Sequence, residues 1–282
     1  MMKILVAGAG GMVGRAVVAH CAARGDEVSA FGRQNLDITD RAAVQMVFDR
    51  ERPGAVINCA AWTNVDGCEF DPVRAYEANA RGVEMLARAC RVAGAMFVTI
   101  STDYVFDGRK EGFYTQRDDP HPISTYGISK LCGERAAQAA HARTTVVRTG
   151  WIFGHGGKNF LATVIEQARR GERLTAIEDM YGTPTYADDL AARLRDLAEL
   201  DLPGVYHIVN SGEGASFAEF ARVAVAVSGC EGVEVDGISA DSLHRPAPRP
   251  RNSRLRCLVS EAVGLAPLAD WRDALREFAA RQ

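Results

Sequence analysis

Lys3-Ile4-Leu5-Val6-Ala7-Gly8-Ala9-Gly10-Gly11-Met12-Val13-Gly14 is the stretch that decides how the rest of the chain is read. A short apolar run bounded by glycine predicts a strand buried on both faces. The glycines are spaced Gly-x-x-Gly-x-x-Gly at Gly8, Gly11 and Gly14, and they open into a helical pattern, Met12–Arg24. Glycine admits positive φ and lets a ligand approach the backbone closely. A helix start adds free N–H groups and a partial positive charge. Glycines also make plain turns, so the motif alone is weak. Placed straight after a first strand, it points to the diphosphate of a dinucleotide.

Outward from this loop, strand and helix signals alternate. Apolar runs at Glu27–Phe31, Ala55–Asn58, Met96–Ile100 and Thr144–Arg148 predict further strands. Helical patterns lie between them at Asp40–Glu51, Val73–Ala93 and Thr125–Ala140, with Thr39 or Asp40 placed to cap the first. Alternating βα units predict an α/β fold, a doubly wound parallel sheet of Rossmann type with right-handed crossovers. The second half is less regular. Asn159–Arg170, Ser216–Ser228 and Asp270–Gln282 read as helices, Gly204–Val209 as a strand, and the Pro/Arg-rich Arg245–Arg256 as a loop. The expected division is a dinucleotide-binding domain over 1–150 and a smaller, mainly substrate-binding lobe over 151–282, some of whose segments return to the first domain.

Composition excludes several classes. The 282 residues carry 33 Lys and Arg against 36 Asp and Glu, a formal charge of −3, which gives no electrostatic case for nucleic acid or an anionic membrane. No apolar run approaches the roughly 18 residues needed to cross a bilayer. The seven cysteines are scattered, without a Cys-x-x-Cys, and read as reduced thiols in a cytoplasmic protein.

The second strand ends Phe31-Gly32-Arg33, without the carboxylate that would bond the ribose 2′-hydroxyl of NAD. Arg33 is suited to a 2′-phosphate, which favours NADPH, with NADH the alternative; the plain reading of Arg33 is a solvated arginine. Asp37 either faces the adenine or caps a helix. Asn58-Cys59-Ala60-Ala61 ends the third strand with small residues that leave room for a cofactor across the sheet. Asn79 reads as no more than a polar residue within a helix.

Ser101-Thr102-Asp103-Tyr104 follows the fourth strand, where open α/β sheets build their sites. Tyr126 and Lys130, four residues apart, share one helix face. A phenol beside an ammonium ion is expected to be acidified by it. Taken singly, Thr102 is a turn hydroxyl, Tyr126 a half-buried aromatic and Lys130 a solvated charge. Their order after these elements instead suggests that Thr102 orients a carbonyl, Tyr126 acts as general acid, and Lys130 tunes it and holds the nicotinamide ribose.

At this point the chain resembles the extended short-chain dehydrogenase/reductases, and among them the dTDP-4-dehydrorhamnose reductase family. The resemblance rests on Gly8–Gly14, Leu36–Asp40, Val56–Asp66, Ser101–Gly108, Tyr126–Lys130, Arg148–Gly154, Tyr181–Thr185 and Asn252–Leu255. It implies a catalytic set of Thr102, Tyr126 and Lys130. It also implies NADPH contacts from Gly11, Met12, Val13, Asp37, Ile38, Cys59, Ala60 and Ala61. Asp103, Tyr104 and Trp151 would meet a dTDP-linked keto-sugar, and Arg254 is the arginine of its loop best suited to the diphosphate. Tyr104 stands where related dehydratases carry an acid, which favours simple ketone reduction. Arg15 stands where many members carry a magnesium-binding glutamate, so no metal requirement is expected, and a monomer or weak homodimer is. Met12 replaces a common glutamine. Two other readings stay open: a sister dTDP-sugar 4-ketoreductase of dihydrostreptose or antibiotic-sugar type, and a non-enzymic NADP-binding regulatory subunit of methionine adenosyltransferase type. The intact Thr102, Tyr126 and Lys130 count against the last.

Overall fold

The computed structural model describes residues 1–157, 159–230 and 232–281. The first half runs β1 (Lys3–Ala7), α1 (Met12–Ala23), β2 (Glu27–Phe31), α2 (Arg41–Glu51), β3 (Ala55–Asn58), α3 (Val65–Phe70), α4 (Pro72–Tyr76), α5 (Gly82–Ala93), β4 (Met96–Thr102), α6 (Thr125–Ala140) and β5 (Thr144–Thr149). The second half continues β6 (Ile152–Phe153), α7 (Phe160–Arg169), β7 (Leu174–Ile177), β8 (Tyr181–Gly182), β9 (Thr185–Tyr186), α8 (Ala187–Leu200), β10 (Gly204–His207), β11 (Ala215–Ser216), α9 (Phe217–Val227), β12 (Val235–Ile238) and α10 (Trp271–Ala280).

Six strands form one sheet in the order β10-β5-β4-β3-β1-β2, and every neighbouring pair is parallel. This is the doubly wound α/β fold expected. After β2 the chain crosses β1 to lay down β3, so the switch point lies between β1 and β3, where such sheets bind ligands. The sheet is covered on both sides. Val17 and Cys21 of α1 pack with Leu190, Leu194 and Leu197 of α8 on one face, and Val44, Phe48, Leu86 and Ala137 of α2, α5 and α6 pack on the other. Burial of each such leucine contributes about 1.5–3 kcal/mol. The segments after residue 150 build a third core around Phe153, Tyr186, Phe220, Trp271 and Phe278. From that half β10 joins the large sheet, and α8 packs on it together with Leu265.

The structure adjusts several expectations. Asp40, not Thr39, caps α2, its carboxylate accepting from the N–H groups of Ala42 and Ala43 at 2.9 and 3.1 Å. The helix expected over Val73–Ala93 is α4 and α5 joined by a π-helical segment, Glu77–Arg81. β10 stops at His207 rather than Val209, and α10 covers Trp271–Ala280; Gln282 lies outside the described residues. α8 was not expected. It buries Arg193 and Arg195, and Arg195 pairs with the buried Asp26 at 2.9 Å. The apolar stripe of α8, Leu190, Leu194 and Leu197 at helical spacing, packs on the sheet, with the two arginines buried beside it.

Candidate active site

The glycine loop is folded as the sequence requires. Gly8 has φ +78°, and a Cβ there would stand 2.5 Å from the backbone nitrogen of Ala60, so only glycine lets β1 and β3 approach at this rim. Gly11 caps α1 without a side-chain hydrogen bond, leaving the helix start free, and nothing stands within 4 Å of the space in front of Gly10. That open cradle of N–H groups suits a diphosphate. Arg15 turns its guanidinium onto the Gly10 carbonyl.

From this loop a groove of about 410 Å³ runs to the end of β2, between Arg33, Asp37 and Ile38 on one side and Cys59, Ala60 and Ala61 on the other. Asp37 accepts from the N–H and hydroxyl of Thr39 at 2.9 and 2.7 Å, which holds its carboxyl below the usual range with a smaller contribution from Arg33. Asp37 does not cap a helix, since Asp40 caps α2; it closes a local turn on Thr39 and lines the groove. Arg74, stacked over the Trp62 ring at 4.3 Å, lines the same end and was not anticipated. Asn58, almost fully buried, donates to Thr99 at 3.1 Å and accepts from the N–H of Ala60 at 3.0 Å, setting the shape of the small-residue turn.

The groove opens past Gly10 and Gly11 into a cleft of about 670 Å³. Thr102, Asp103 and Tyr104 come to it from the end of β4, Tyr126 and Lys130 from α6, and Trp151 from the turn after β5. Met12, Val13 and Gly14 line it at the loop. α6 begins with Ser124 capping Gly127 at 3.2 Å. A Cβ on Gly127 would stand 2.3 Å from the Tyr104 carbonyl, so this glycine is what allows α6 to rest directly on the Asp103–Tyr104 turn. The Tyr126 and Tyr104 rings meet edge to face, centroids 5.9 Å apart. Trp151 holds a left-handed φ of 49°, a strained value for a bulky residue, while its ring stacks on Phe217 at 3.7 Å.

Asn79, in the π-helical turn, is a positioning residue that the sequence reading passed over. It accepts from the Trp62 N–H at 2.8 Å, donates to the Trp62 carbonyl at 3.0 Å, and donates to Ser129 at 3.0 Å. Ser129 lies between Tyr126 and Lys130, so this one buried amide ties the cofactor turn to the reactive helix. The extra residue of a π turn re-aims a side chain, and such turns gather at functional sites.

The electrostatics overturn one expectation. Burial, not a cationic neighbour, dominates Tyr126 and pushes its phenol well above the ordinary tyrosine value; the nearby Thr102 hydroxyl lowers it only in part. Lys130 is buried, its ammonium donating to the Ile100 carbonyl at 2.7 Å, and burial pulls it down to about 8 against the opposing pull of Glu134. A buried ammonium spends its charge on its own desolvation and its carbonyl partner. The phenol is consequently protonated at neutral pH. Burial raises Asp103 to about 6, opposed by the Ser253 hydroxyl that donates to it at 2.5 Å and by Thr102. Burial pushes Tyr104 to about 12, and Arg249 bonds its hydroxyl while pairing with Asp66 at 2.9 Å.

Arg254 is not brought to the cleft wall. Its guanidinium is held by Asn252 at 2.9 Å and lies over the rings of Phe113 and Tyr181. Of the arginines in that loop, Arg249 is the one that reaches Tyr104. Among the described residues no group of three or more His, Cys, Asp or Glu could hold a metal ion, and no helix is long and apolar enough to cross a membrane.

Comparison with known proteins agrees with this geometry. The family described as RmlD substrate binding domain matches residues 2–282. The chain is 40% identical over 279 residues to a dTDP-4-dehydrorhamnose reductase of Streptomyces griseus, covering 97% of this chain and 91% of that protein. It is 39% identical to the protein of the same name from Mycobacterium tuberculosis, with the same coverage. Its fold superposes with a TM-score of 0.96 and 32% identity on the crystal structure of dTDP-4-dehydrorhamnose reductase from Bacillus anthracis in complex with NADP, covering 100% of this chain and 99% of that one. Matched from end to end in sequence and in structure, the chain belongs to the dTDP-4-dehydrorhamnose reductase family of the extended short-chain dehydrogenase/reductases.

Proposed function

We propose that the protein is an NADPH-dependent reductase of the C4 ketone of a dTDP-linked 4-keto-6-deoxyhexose, converting dTDP-4-dehydro-L-rhamnose to dTDP-L-rhamnose. The observation that carries this reading is the single cleft in which Thr102, Tyr126 and Lys130 face the space beyond the glycine loop. The open N–H cradle, the small Cys59-Ala60-Ala61 turn and Arg33 at the end of β2 fit a phosphorylated dinucleotide. Hydride for the ketone carbon is the chemistry such a dinucleotide supplies when bound. Thr102 and Tyr126 donate hydrogen bonds to the ketone oxygen as negative charge develops there, and the Tyr126 phenol yields its proton. Lys130 then faces a phenolate, and its ammonium stabilises that charge most where water is excluded. Asp103, Tyr104 and Trp151 position the sugar.

Residues 1–150 serve the dinucleotide and residues 151–282 mainly the sugar nucleotide, with α8 and β10 completing the first unit. The protein works in the cytoplasm as a monomer or weak homodimer, without nucleic acid or membrane. The cation that Arg15 presents at Gly10 disfavours a metal at that position, and none is required.

The test is incubation with NADPH and dTDP-4-dehydro-L-rhamnose. Loss of reduced-cofactor absorbance with dTDP-L-rhamnose as product is expected; a different C4 epimer would point to a sister reductase, and no turnover would remove the reading. Arg33→Ala is expected to weaken NADPH binding about tenfold or more while leaving NADH unaffected, because only the former carries the 2′-phosphate. Equal losses for both cofactors in a fluorescence titration would detach Arg33 from that role. Ser253→Ala removes a hydrogen bond that keeps Asp103 ionised, so the Asp103 pKa rises from about 6. The ionised fraction at neutral pH then falls, KM for the sugar nucleotide rises about twofold or more at pH 7, and the loss is recovered by pH 8. A KM penalty that is the same at both pH values would assign Ser253 a packing role only.

A further inference from the structure

Behind the reactive residues, outside the cleft wall, lies a buried charged pair that the reaction described above does not use: Glu134 of α6 and Arg148 of β5. Arg148 stands opposite Ser101 of β4 in the parallel ladder, and both side chains meet the Glu134 carboxylate. The Ser101 hydroxyl donates to one carboxylate oxygen at 2.5 Å. Arg148 grips both oxygens, through Nε at 3.0 Å and Nη2 at 2.7 Å. The side chains of Arg148 and Glu134 are 7% and 3% exposed.

Stability does not account for this arrangement. A buried ion pair replaced by apolar side chains of similar volume often leaves a protein as stable or more so. What the pair supplies is placement and charge. Ser101 sits between Ile100, whose carbonyl accepts from the Lys130 ammonium at 2.7 Å, and Thr102, which lines the cleft. A hydroxyl fixed by Glu134 therefore holds the anchor of Lys130 and the strand end that carries Thr102 together. Glu134 also lies one helical turn beyond Lys130 on α6, and its negative charge opposes the burial that disfavours the ammonium. Among the described residues the other titratable group acting on Lys130 is Cys59, at the end of β3. Burial pushes that thiol to about 12, so it is uncharged over an ordinary assay range. The positive charge behind Ser101, that of Arg148, is matched by Glu134 itself.

We propose that Glu134 is a positioning residue of this site: through Ser101 it sets the end of β4 that carries Thr102 and the carbonyl anchor of Lys130, and through space it keeps the Lys130 ammonium charged. The roles of Thr102 and Lys130 in turnover rest on the reductase reading; the charge of Lys130 does not.

The first test needs no substrate. NMR titration of the cofactor-free full chain labelled with ¹³Cε-lysine follows Lys130 directly, its signal assigned by its loss in Lys130→Met. The midpoint is about 8 in the parent and is expected below about 7.5 in Glu134→Gln, which keeps the shape of the side chain and removes its charge. The alkaline limb of kcat/KM for NADPH moves down with it. Ser101→Ala leaves the charge in place, so the lysine midpoint stays near 8, while kcat falls about fivefold or more with NADPH affinity within about twofold of the parent. A cluster that merely braces the fold would lower the thermal midpoint of both variants and leave the lysine titration and kcat as in the parent; that result overturns the proposal. Should Glu134→Gln fail to fold, Ser101→Ala decides, and a parental kcat in it is the overturning result. A parent protein without turnover counts against the reductase reading alone, and the lysine titration then decides this proposal.

Discussion

Tyr126→Phe is expected to lower kcat for dTDP-4-dehydro-L-rhamnose by about 10²–10⁴-fold, with NADPH affinity unchanged. The substitution keeps the ring, and with it the edge contact to Tyr104 and the packing against Cys68 and Ala75. Only the hydroxyl is lost. Its near neighbour Thr102 retains a bond to Asp103 at 3.0 Å, so little unpaired polarity is left behind and the thermal midpoint stays close to that of the parent. The kinetic loss corresponds to roughly 3–5 kcal/mol of transition-state stabilisation, the share a positioned acid supplies. Because burial raises the phenol above its ordinary value, Tyr126 stays protonated throughout an ordinary assay range. No limb of the pH profile below pH 9 should then belong to it. Single-turnover measurement at saturating NADPH checks the chemical step directly; near-parental turnover would take the acid role away from this residue.

The parts of this site that were legible in the sequence are those where one residue type is forced by backbone geometry or where order along the chain is diagnostic. Gly8 can only be glycine against the Ala60 backbone, and Thr102 ends the fourth strand while Tyr126 and Lys130 open the sixth helix. The short apolar strands were visible for the same reason: a sheet covered on both faces leaves no polar alternation. What stayed hidden was set by distant partners. Asn79 looks like any helix polar residue until the π turn aims it at Trp62 and Ser129, 17 and 50 residues away. α8 carries a legible stripe at Leu190, Leu194 and Leu197 that the sequence reading passed over; what the sequence hides is the burial of Arg195, which needs Asp26, 169 residues distant. Five arginines between 245 and 256 are equivalent as letters. Only the fold turns Arg249 toward Tyr104 and leaves Arg254 on Asn252. The effect of Lys130 on Tyr126 was misjudged because spacing on a helix gives proximity and says nothing of burial, and here burial of both groups is the larger effect.

Lys130→Met is expected to act in opposite directions on activity and on stability. Activity should fall about 10²-fold or more, since methionine cannot stabilise the phenolate that Tyr126 becomes or bond a ribose hydroxyl. Stability of the cofactor-free protein should rise. The buried ammonium is held at about 8, against 10.5 for the free group, a depression worth about 3 kcal/mol of unfavourable burial. Methionine fills a similar volume without charge, and the gain is offset in part by the Ile100 carbonyl, which loses its donor. A net gain of about 1–2 kcal/mol, roughly 2–5 °C in Tm, remains. The sign with pH follows from linkage. The folded-state pKa lies below the unfolded one, so between about pH 8 and 10.5 the unfolded chain binds more protons and the parent protein gains stability as pH rises. The advantage of the variant is therefore largest below pH 8 and shrinks toward pH 10. In the parent, kcat/KM for NADPH, which reports the free enzyme, should fall above about pH 8 as Lys130 loses its proton, and that limb has no counterpart in the variant's residual rate. Thermal melts of both proteins from pH 6 to 10 measure the first pair of effects and steady-state profiles the second. A variant less stable than its parent at pH 7, with a gap that does not change with pH, would show that the Lys130 ammonium is held by the fold at no cost, and that its proximity to Tyr126 was bought by packing and not by function.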